Sequence, residues 1–482
     1  MSKGLISSRI LGIFRICLGI YLIYDLVARW LNRSLLYHPI LLGGASGDLN
    51  FSLFRATANS QTLPLLWAFL LACYLGFAIG FRTRIFHAAS LIGFCSLVNY
   101  NFRATYEGDA MVAFLLFWTL FLRLDGFLSV DGKRQEARPP DFQTGWAVTA
   151  LKGQVIVVYL VSGLWKITNP DKDWFKGSAF YFGSRYDCTA WGLSGWIQHV
   201  PFALTQLMTW ASFGIWLATP FLWIFSGATS LKRRNIFIAA AINHLLLCVT
   251  LYPMDSFWPL LLMNLLFLFP EDLGLASNQD PRRASSSSAA CSKTQKGLVA
   301  AAAYVLFFAL IQNYEPVTIQ PLGSAITGIY YALKPVRLVN LANAVFPPQY
   351  WRFHSFTPRY DTAFVFEGIS AEGKSISLMD PFVSQTAWRN RVAPEAPSFE
   401  PNRTGRKYHR LVYNFLWYHK KGGSPGDLQA LGNWLKFKYE SKFPGLKLKE
   451  IRWHSVVDIT VLPGETPPPV TQELFHTWHF TG

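Results

Sequence analysis

Charge is what this sequence has least of. Of its 482 residues only 15% are Asp, Glu, Lys or Arg, against roughly 25% in soluble domains. That deficit excludes an ordinary water-facing surface over most of the chain. Acidic residues are the scarcer sign, 28 against 44 Lys and Arg, which leaves a net charge of +16. No basic stripe interleaved with exposed aromatics accompanies the excess, so nucleic acid is not an expected partner. In a membrane protein such an excess belongs to cytoplasmic loops beside anionic headgroups. Cysteine is sparse too: Cys17, Cys73, Cys95, Cys188, Cys248 and Cys291 form no CxxC pair, and most lie inside apolar runs. They read as small buried hydrophobes, which excludes a disulfide frame and a zinc site. No metal is expected.

What is abundant is apolar: 51% hydrophobic residues, with 18 Trp and 39 Phe. A membrane span needs about 20 mostly apolar residues. Candidate spans fall near 10–29, 62–81, 84–101, 110–124, 146–166, 201–226, 235–252, 255–270 and 297–313. The opening "MSKGLISSRILGIFRICLGIYLIYDLV" has the look of a leader, but Arg15 interrupts the run and no A-x-A site follows, so it reads as a retained first helix. Basic clusters at Lys3/Arg9, Arg82/Arg84, Arg123–Arg138, Lys232–Arg234 and Arg282–Lys296 fall on alternate connections, although Arg29, Arg33 and Arg55 sit in the first outer loop. The positive-inside rule then places the N-terminus in the cytoplasm. The expected architecture is a polytopic α-helical membrane protein with about nine transmembrane helices and a C-terminal extracytoplasmic α+β domain.

Three regions follow: a transmembrane part over 1–313, a connecting segment over 314–344 and an extracytoplasmic domain over 345–482. Residues 276–296, "ASNQDPRRASSSSAACSKTQK", form a Ser-rich linker. The tail alternates in "TAFVFEGIS" (362–370), "KSISLMD" (374–380) and "SVVDITVLP" (455–463), and 424–445 reads as one amphipathic helix. It holds no nucleophile elbow, no metal-spaced His/Cys cluster and no Gly-rich phosphate loop, so it reads as a binding or structural module.

Ionisable groups inside membrane spans are costly and so point to sites. They are Arg15, Asp25, Lys152, Lys166 and His244, with Glu107 and Asp109 at a span's edge. Lys166 ends an apolar run in "VVYLVSGLWKITNPDKDWFKG", framed by Trp165 and Trp174. A desolvated amine there is a usable base; a lysine at a helix end also commonly snorkels to the headgroups. Asp109 opens one span and Lys166 closes the next, so the two are expected near one membrane surface, as an ion pair or as parts of a site. Arg15 and Asp25, ten residues apart, read as structural polar anchors. His244, in "AINHLLLC", is read either as a hydrogen-bonded core residue or as a ligand.

The stretch "LKGQVIVVYLVSGLWKITNPDKDWFKG" (151–177) resembles a segment of the vitamin K-dependent gamma-glutamyl carboxylases and their wider relatives, the HTTM (horizontally transferred transmembrane) family. Gly153, Gln154, Gly163, Lys166, Trp174 and Gly177 carry the likeness, and "FLSVDGKR" (127–134) resembles the carboxylase Ser-Val-Asp-Gly turn. Less closely, "YWRFHSFTPR" (350–359) resembles an element that follows the membrane part in bacterial relatives. The resemblance implies Lys166 as the base that deprotonates a reduced, vitamin K-like quinone. Dioxygen and carbon dioxide would be co-reactants, and a protein or peptide glutamate the acceptor. It further implies Asp109 and His244 as catalytic partners, and Trp165, Trp174, Gln154 and Asn243 as residues binding the quinone. Where the carboxylases have an Asn-His pair this chain has Glu107 and Gly108, and "EGD" is similar to the Gly-Gly-Asp of the broader family.

Two functions of different kind remain open from sequence. One is an inner-membrane enzyme that couples oxidation of a reduced quinone to modification of a protein or peptide. The other is a non-catalytic maturation or assembly subunit whose C-terminal domain binds an envelope partner.

Overall fold

The computed structural model describes residues 5–31, 33, 37–38, 40, 52–57, 62–101, 107–134, 141–168, 172–185, 194–225, 230–251, 254–274, 360–378, 425–445, 447–469 and 471–480. The expected span at 297–313, the Ser-rich linker, the 314–344 connection and the 350–359 element lie outside the described residues, as do Cys188 and Cys291.

The first eight expected spans are all helical. In chain order the membrane part holds α1 (Ser8–Leu31), α2 (Leu53–Thr57), α3 (Thr62–Ile79), α4 (Thr83–Tyr100), α5 (Glu107–Thr119), α6 (Val130–Arg134), α7 (Trp146–Thr168), α8 (Asp173–Lys176), α9 (Ala179–Arg185), α10 (Ser194–Ile197), α11 (Phe202–Phe225), α12 (Ser230–Leu251) and α13 (Met254–Leu265). Among the described residues four are long and apolar enough to cross a membrane: α1, α3, the Trp146–Gly163 stretch of α7, and α11. These helix lengths do not by themselves establish the count of nine. α5 and α13 run for only 13 and 12 residues, and α12 opens on Lys232, Arg233 and Arg234.

Lipid-facing character is plain on the outer surfaces. Ile20 and Leu31 of α1, Leu65 and Phe69 of α3, Ile85 of α4, Leu207 and Phe225 of α11, and Ile242 of α12 are all exposed. Apolar surface this extensive has no place in water. Among the described residues Cys17, Cys73, Cys95 and Cys248 are free thiols.

Polar devices tie the helix ends. Strand β1 (Ile6–Ser7) pairs antiparallel with β2 (Phe142–Gln143), which sets the starts of α1 and α7 side by side. Lys152 donates to the Leu5 carbonyl (2.7 Å) across the same junction. Arg15, wholly buried, donates to the carbonyls of Ala78 (3.3 Å), Leu124 (2.7 Å) and Leu128 (2.6 Å), as an anchor should.

The Ser-Val-Asp-Gly turn is a helix cap. Asp131 accepts from the amides of Arg82 (3.0 Å) and Thr83 (2.7 Å) and from the Thr83 hydroxyl (2.8 Å), closing the start of α4. Ser129 donates to the Asp125 carbonyl and accepts from the Gly132 amide (2.8 Å). Burial pushes the Asp131 carboxyl up, but the Thr83 and Arg82 hydrogen bonds and the Arg134 charge outweigh it and hold it below its usual value.

The tail is an antiparallel sheet in the order β4-β3-β5-β6, built from β3 (Tyr360–Ser370), β4 (Ser375–Ser377), β5 (Leu448–Ile459) and β6 (Thr471–His479). Helix α14 (Pro425–Lys442) packs on it through Trp434, Leu431 and Leu435, and Trp478 donates from Nε1 to the Leu428 carbonyl (2.9 Å). The expected strands and helix are present. The sequence reading missed β6, and β5 begins at Leu448, upstream of the expected 455. Tyr181, in α9, donates to the Val461 carbonyl (3.2 Å), and the ring of His38 lies 5.0 Å from that of Phe437. Both membrane-side contacts follow the C-terminal ends of spans, so the tail docks on the end of the bundle where α1 and α7 finish.

Candidate functional site

Helix α7 carries the site. Val155, Tyr159, Ser162 and Lys166 are spaced four, three and four apart, which aligns them on one helical face. All four are buried. Lys166, expected at a lip, has no exposed surface at all. Its Nζ donates to Ser162 Oγ (2.9 Å) and lies 4.1 Å from the ring centre of Trp216 and 5.0 Å from that of Trp174. An ammonium over indole faces is held by cation–π attraction, strengthened where water is excluded.

The chain after Lys166 folds back to roof it. Gly177 closes α8 in the left-handed region (φ 81°), a conformation that favours glycine, with its amide bonded to the Asp173 carbonyl. A Cβ there would meet Trp210 at 2.9 Å. Ser178 bonds both the carbonyl (2.8 Å, from its amide) and the carboxylate (2.9 Å, from Oγ) of Asp173. Trp210 Nε1 donates to the Phe175 carbonyl (3.0 Å), fixing α8 to α11. These contacts give the spacing of Trp174 and Gly177 a physical reason: the glycine makes the turn that lays the indole on the amine.

Helix α11 supplies the facing wall. Thr205, Thr209, Ser212, Trp216, Thr219 and Trp223 repeat at alternating spacings of four and three and are all buried. From Trp216 a polar chain runs into the bundle. The ring of His244, on α12, meets Trp216 edge-on at 5.3 Å, and His244 Nε2 lies 2.5 Å from the Tyr159 hydroxyl. Asn264 of α13 donates from Nδ2 to Tyr159 Oη (2.6 Å) and to the Leu260 carbonyl (2.8 Å), and its Oδ1 accepts from Trp223 Nε1 (2.9 Å). Around this column several fully buried polar atoms meet no hydrogen-bond partner among the described residues: Nδ1 of His244, both amide atoms of Asn243, both amide atoms of Gln154, and Oγ of Ser212.

The expected site residues thus divide. Lys166, Trp174 and His244 come together through Trp216, with Asn243 beside His244 on α12. Gln154 lies on the same helix as Lys166 but twelve residues earlier, about 18 Å along the axis. The side chain of Trp165 lies outside the described residues, as do that of Glu107 and all of Arg103. Asp109 belongs elsewhere: its carboxylate accepts from Arg29 (2.5 Å), which also bonds Asp25 (2.6 Å) and the Tyr37 hydroxyl (2.9 Å). Arg29, taken from sequence as a charge of the first outer loop, lies within α1 and is buried at the centre of that cluster. Sequence reasoning missed Tyr159, Ser162, Trp216, Trp223 and Asn264. The signal for the first four was present in the four-three spacing of residues along α7 and α11; Asn264, on α13, lies outside that pattern.

Residues 6–272 match the model of the HTTM domain. The chain belongs to the HTTM family. That match ends at the short 3-10 turn Pro270–Leu273, so the HTTM domain covers α1 to α13 and the whole Lys166 column, and leaves the strand-bearing tail outside. No solved structure matches the chain.

Proposed function

We propose that this HTTM protein is an inner-membrane enzyme, resembling the vitamin K-dependent carboxylases, that couples oxidation of a reduced quinone to modification of a protein or peptide. The N-terminus lies in the cytoplasm, the membrane part of about nine spans runs to residue 313, and the domain from 345 onward stands outside. One observation carries the reading. Lys166 is sealed beneath Trp174 and Trp216 at the head of a column in which buried amide, imidazole and hydroxyl atoms meet no partner among the described residues. Unsatisfied buried polar atoms are rare in folded proteins and mark places where something else binds.

The residues present fit a prenylated quinone. Trp174 and Trp216 offer flat faces to an aromatic head, and Asn243 and Gln154 offer donors and acceptors. A quinone bound there would supply the redox chemistry, with dioxygen and carbon dioxide as co-reactants. In its neutral form the Lys166 amine would take a proton from a hydroquinone hydroxyl, giving the ammonium that the indole faces hold, with Ser162 orienting it. Trp174 keeps water out, so the amine and its partner interact in a medium of low polarity. The tail, docked at the Lys166 end of the bundle, presents the peptide. Asp109 ties α5 to α1 through Arg29.

The test is Lys166→Ala in the purified full-length protein. Oxidation of a naphthohydroquinone should stop while the melting temperature is held or raised. Oxidation at the wild-type rate would remove Lys166 from the reaction.

A further inference from the structure

Hydrogen-bond accounting along the column fixes the direction of the bonds among Trp223, Asn264 and Tyr159, and leaves the Tyr159–His244 bond to the single hydrogen of Tyr159. An indole N–H only donates, so Trp223 fixes Oδ1 of Asn264 as the acceptor and leaves its NH2 facing the other way. That NH2 has two hydrogens, and it has two acceptors: the Leu260 carbonyl and Tyr159 Oη. Tyr159 Oη therefore accepts from Asn264, and its single hydrogen is directed at the other atom in reach, His244 Nε2 at 2.5 Å. A ring nitrogen that accepts carries no proton. The proton of neutral His244 is then on Nδ1, the buried atom that meets no partner among the described residues. Free imidazole side chains ordinarily favour the opposite tautomer, with the proton on Nε2.

We infer that Trp223, Asn264 and Tyr159 are positioning residues that hold His244 as its Nδ1–H tautomer, so that it offers a buried N–H to an acceptor oxygen of the bound ligand. For the ligand's identity, a quinone or hydroquinone oxygen, this inference rests on the function proposed above; for the tautomer it stands alone. A preset donor in a dry site costs no reorganisation when its acceptor arrives. The arrangement also gives Tyr159 a role distinct from packing: it turns the ring without touching the ligand.

The experiment is nitrogen-15 NMR of the full-length protein in lipid nanodiscs, labelled at histidine, with the His244 signals assigned by their loss in His244→Asn. The wild type should show a protonated Nδ1 and a bare Nε2. Tyr159→Phe should let the Nε2–H form appear, and Asn264→Leu should move the populations the same way. Should Tyr159→Phe not fold, Asn264→Leu decides alone. A protonated Nε2 in the wild type, or tautomer populations unmoved by these substitutions, overturns the inference whatever ligand binds. Menadiol binding, read by quenching of tryptophan fluorescence, separates the two claims. It should weaken about tenfold in His244→Phe, the scale of one lost hydrogen bond, and stay near wild type in His244→Asn, whose amide keeps a donor close to the Nδ1 position. Equal weakening in both variants overturns the donor role. If menadiol fails to bind the wild type while the tautomer still responds to Tyr159→Phe, the quinone reading fails and the positioning of His244 stands.

Discussion

Around Arg29, each charge meets its opposite. Asp25 and Asp109 share one guanidinium, which also bonds the Tyr37 hydroxyl, and aromatic rings close the sides, with Tyr37 stacked on Tyr100 at 5.6 Å. Along α7, α11 and α12 the opposite holds: among the described residues, hydrogen bonds run from Trp223 to His244 and then stop, beside amides of Asn243 and Gln154 that meet no partner. Both clusters are buried in the same helical domain, and both are polar in a place where polarity is costly. The difference teaches what each is for. A completed network holds helices together; an incomplete one keeps hydrogen-bonding capacity for something that arrives later.

The sharpest break of this comparison is Arg29→Met. It leaves two buried carboxylates without their counter-charge, and removing one partner of a buried ionic cluster costs about 3–5 kcal/mol. Loss of monodisperse protein in size-exclusion chromatography, or a large fall in melting temperature, is expected. Lys166→Ala should do the reverse, leaving the fold intact and stopping turnover. If Arg29→Met were as stable as the wild type, the cluster would not be structural, and Asp109 would return as a candidate for chemistry.

A smaller effect is expected where a satisfied carboxylate lies outside the spans. Asp131 caps α4, and loss of a cap is worth about 1 kcal/mol. Because hydrogen bonds hold its carboxyl below the ordinary value of 3.8, the stabilisation is fully present above that value and is lost as pH falls through the depressed folded-state value. Melting temperatures of wild type and Asp131→Ala should therefore differ at neutral pH and converge in strong acid. A constant difference at every pH would show that the carboxylate's charge is irrelevant to the cap.

Much of this was legible in the sequence, for physical reasons. Long apolar runs have few alternatives to helices, so the positions of α1, α3, α4, α7, α11 and α12 followed from hydropathy. Alternation and turn residues located β3, β4 and α14. Lys166, His244 and Trp174 stood out because charge, imidazole and indole are conspicuous in apolar surroundings. What escaped was pairing across helices. Nothing local links Arg29 to Asp109, 80 positions away, or Tyr159 to Asn264, 105 positions away. Strand β6 escaped because its first residues, Thr471 to Leu474, are exposed on both faces and so show no alternation.

The smallest effect is also the one that tells the two kinds of cluster apart most directly. Gln154 buries both amide atoms with no partner among the described residues, a state that costs roughly 1–3 kcal/mol when nothing fills it. In a completed network, replacing a polar member with a hydrocarbon of similar volume destabilises, because it strands the partner. At Gln154 no partner among the described residues is stranded. Gln154→Leu should therefore leave the melting temperature of the ligand-free protein unchanged or slightly raised, while reducing the extra stability that added menadiol confers on the wild type. Thermal unfolding with and without menadiol measures both quantities on one sample. A fall in ligand-free stability of the size expected for a broken hydrogen bond would mean that Gln154 is already satisfied, and the column would then have to be read as a structural network like the one around Arg29.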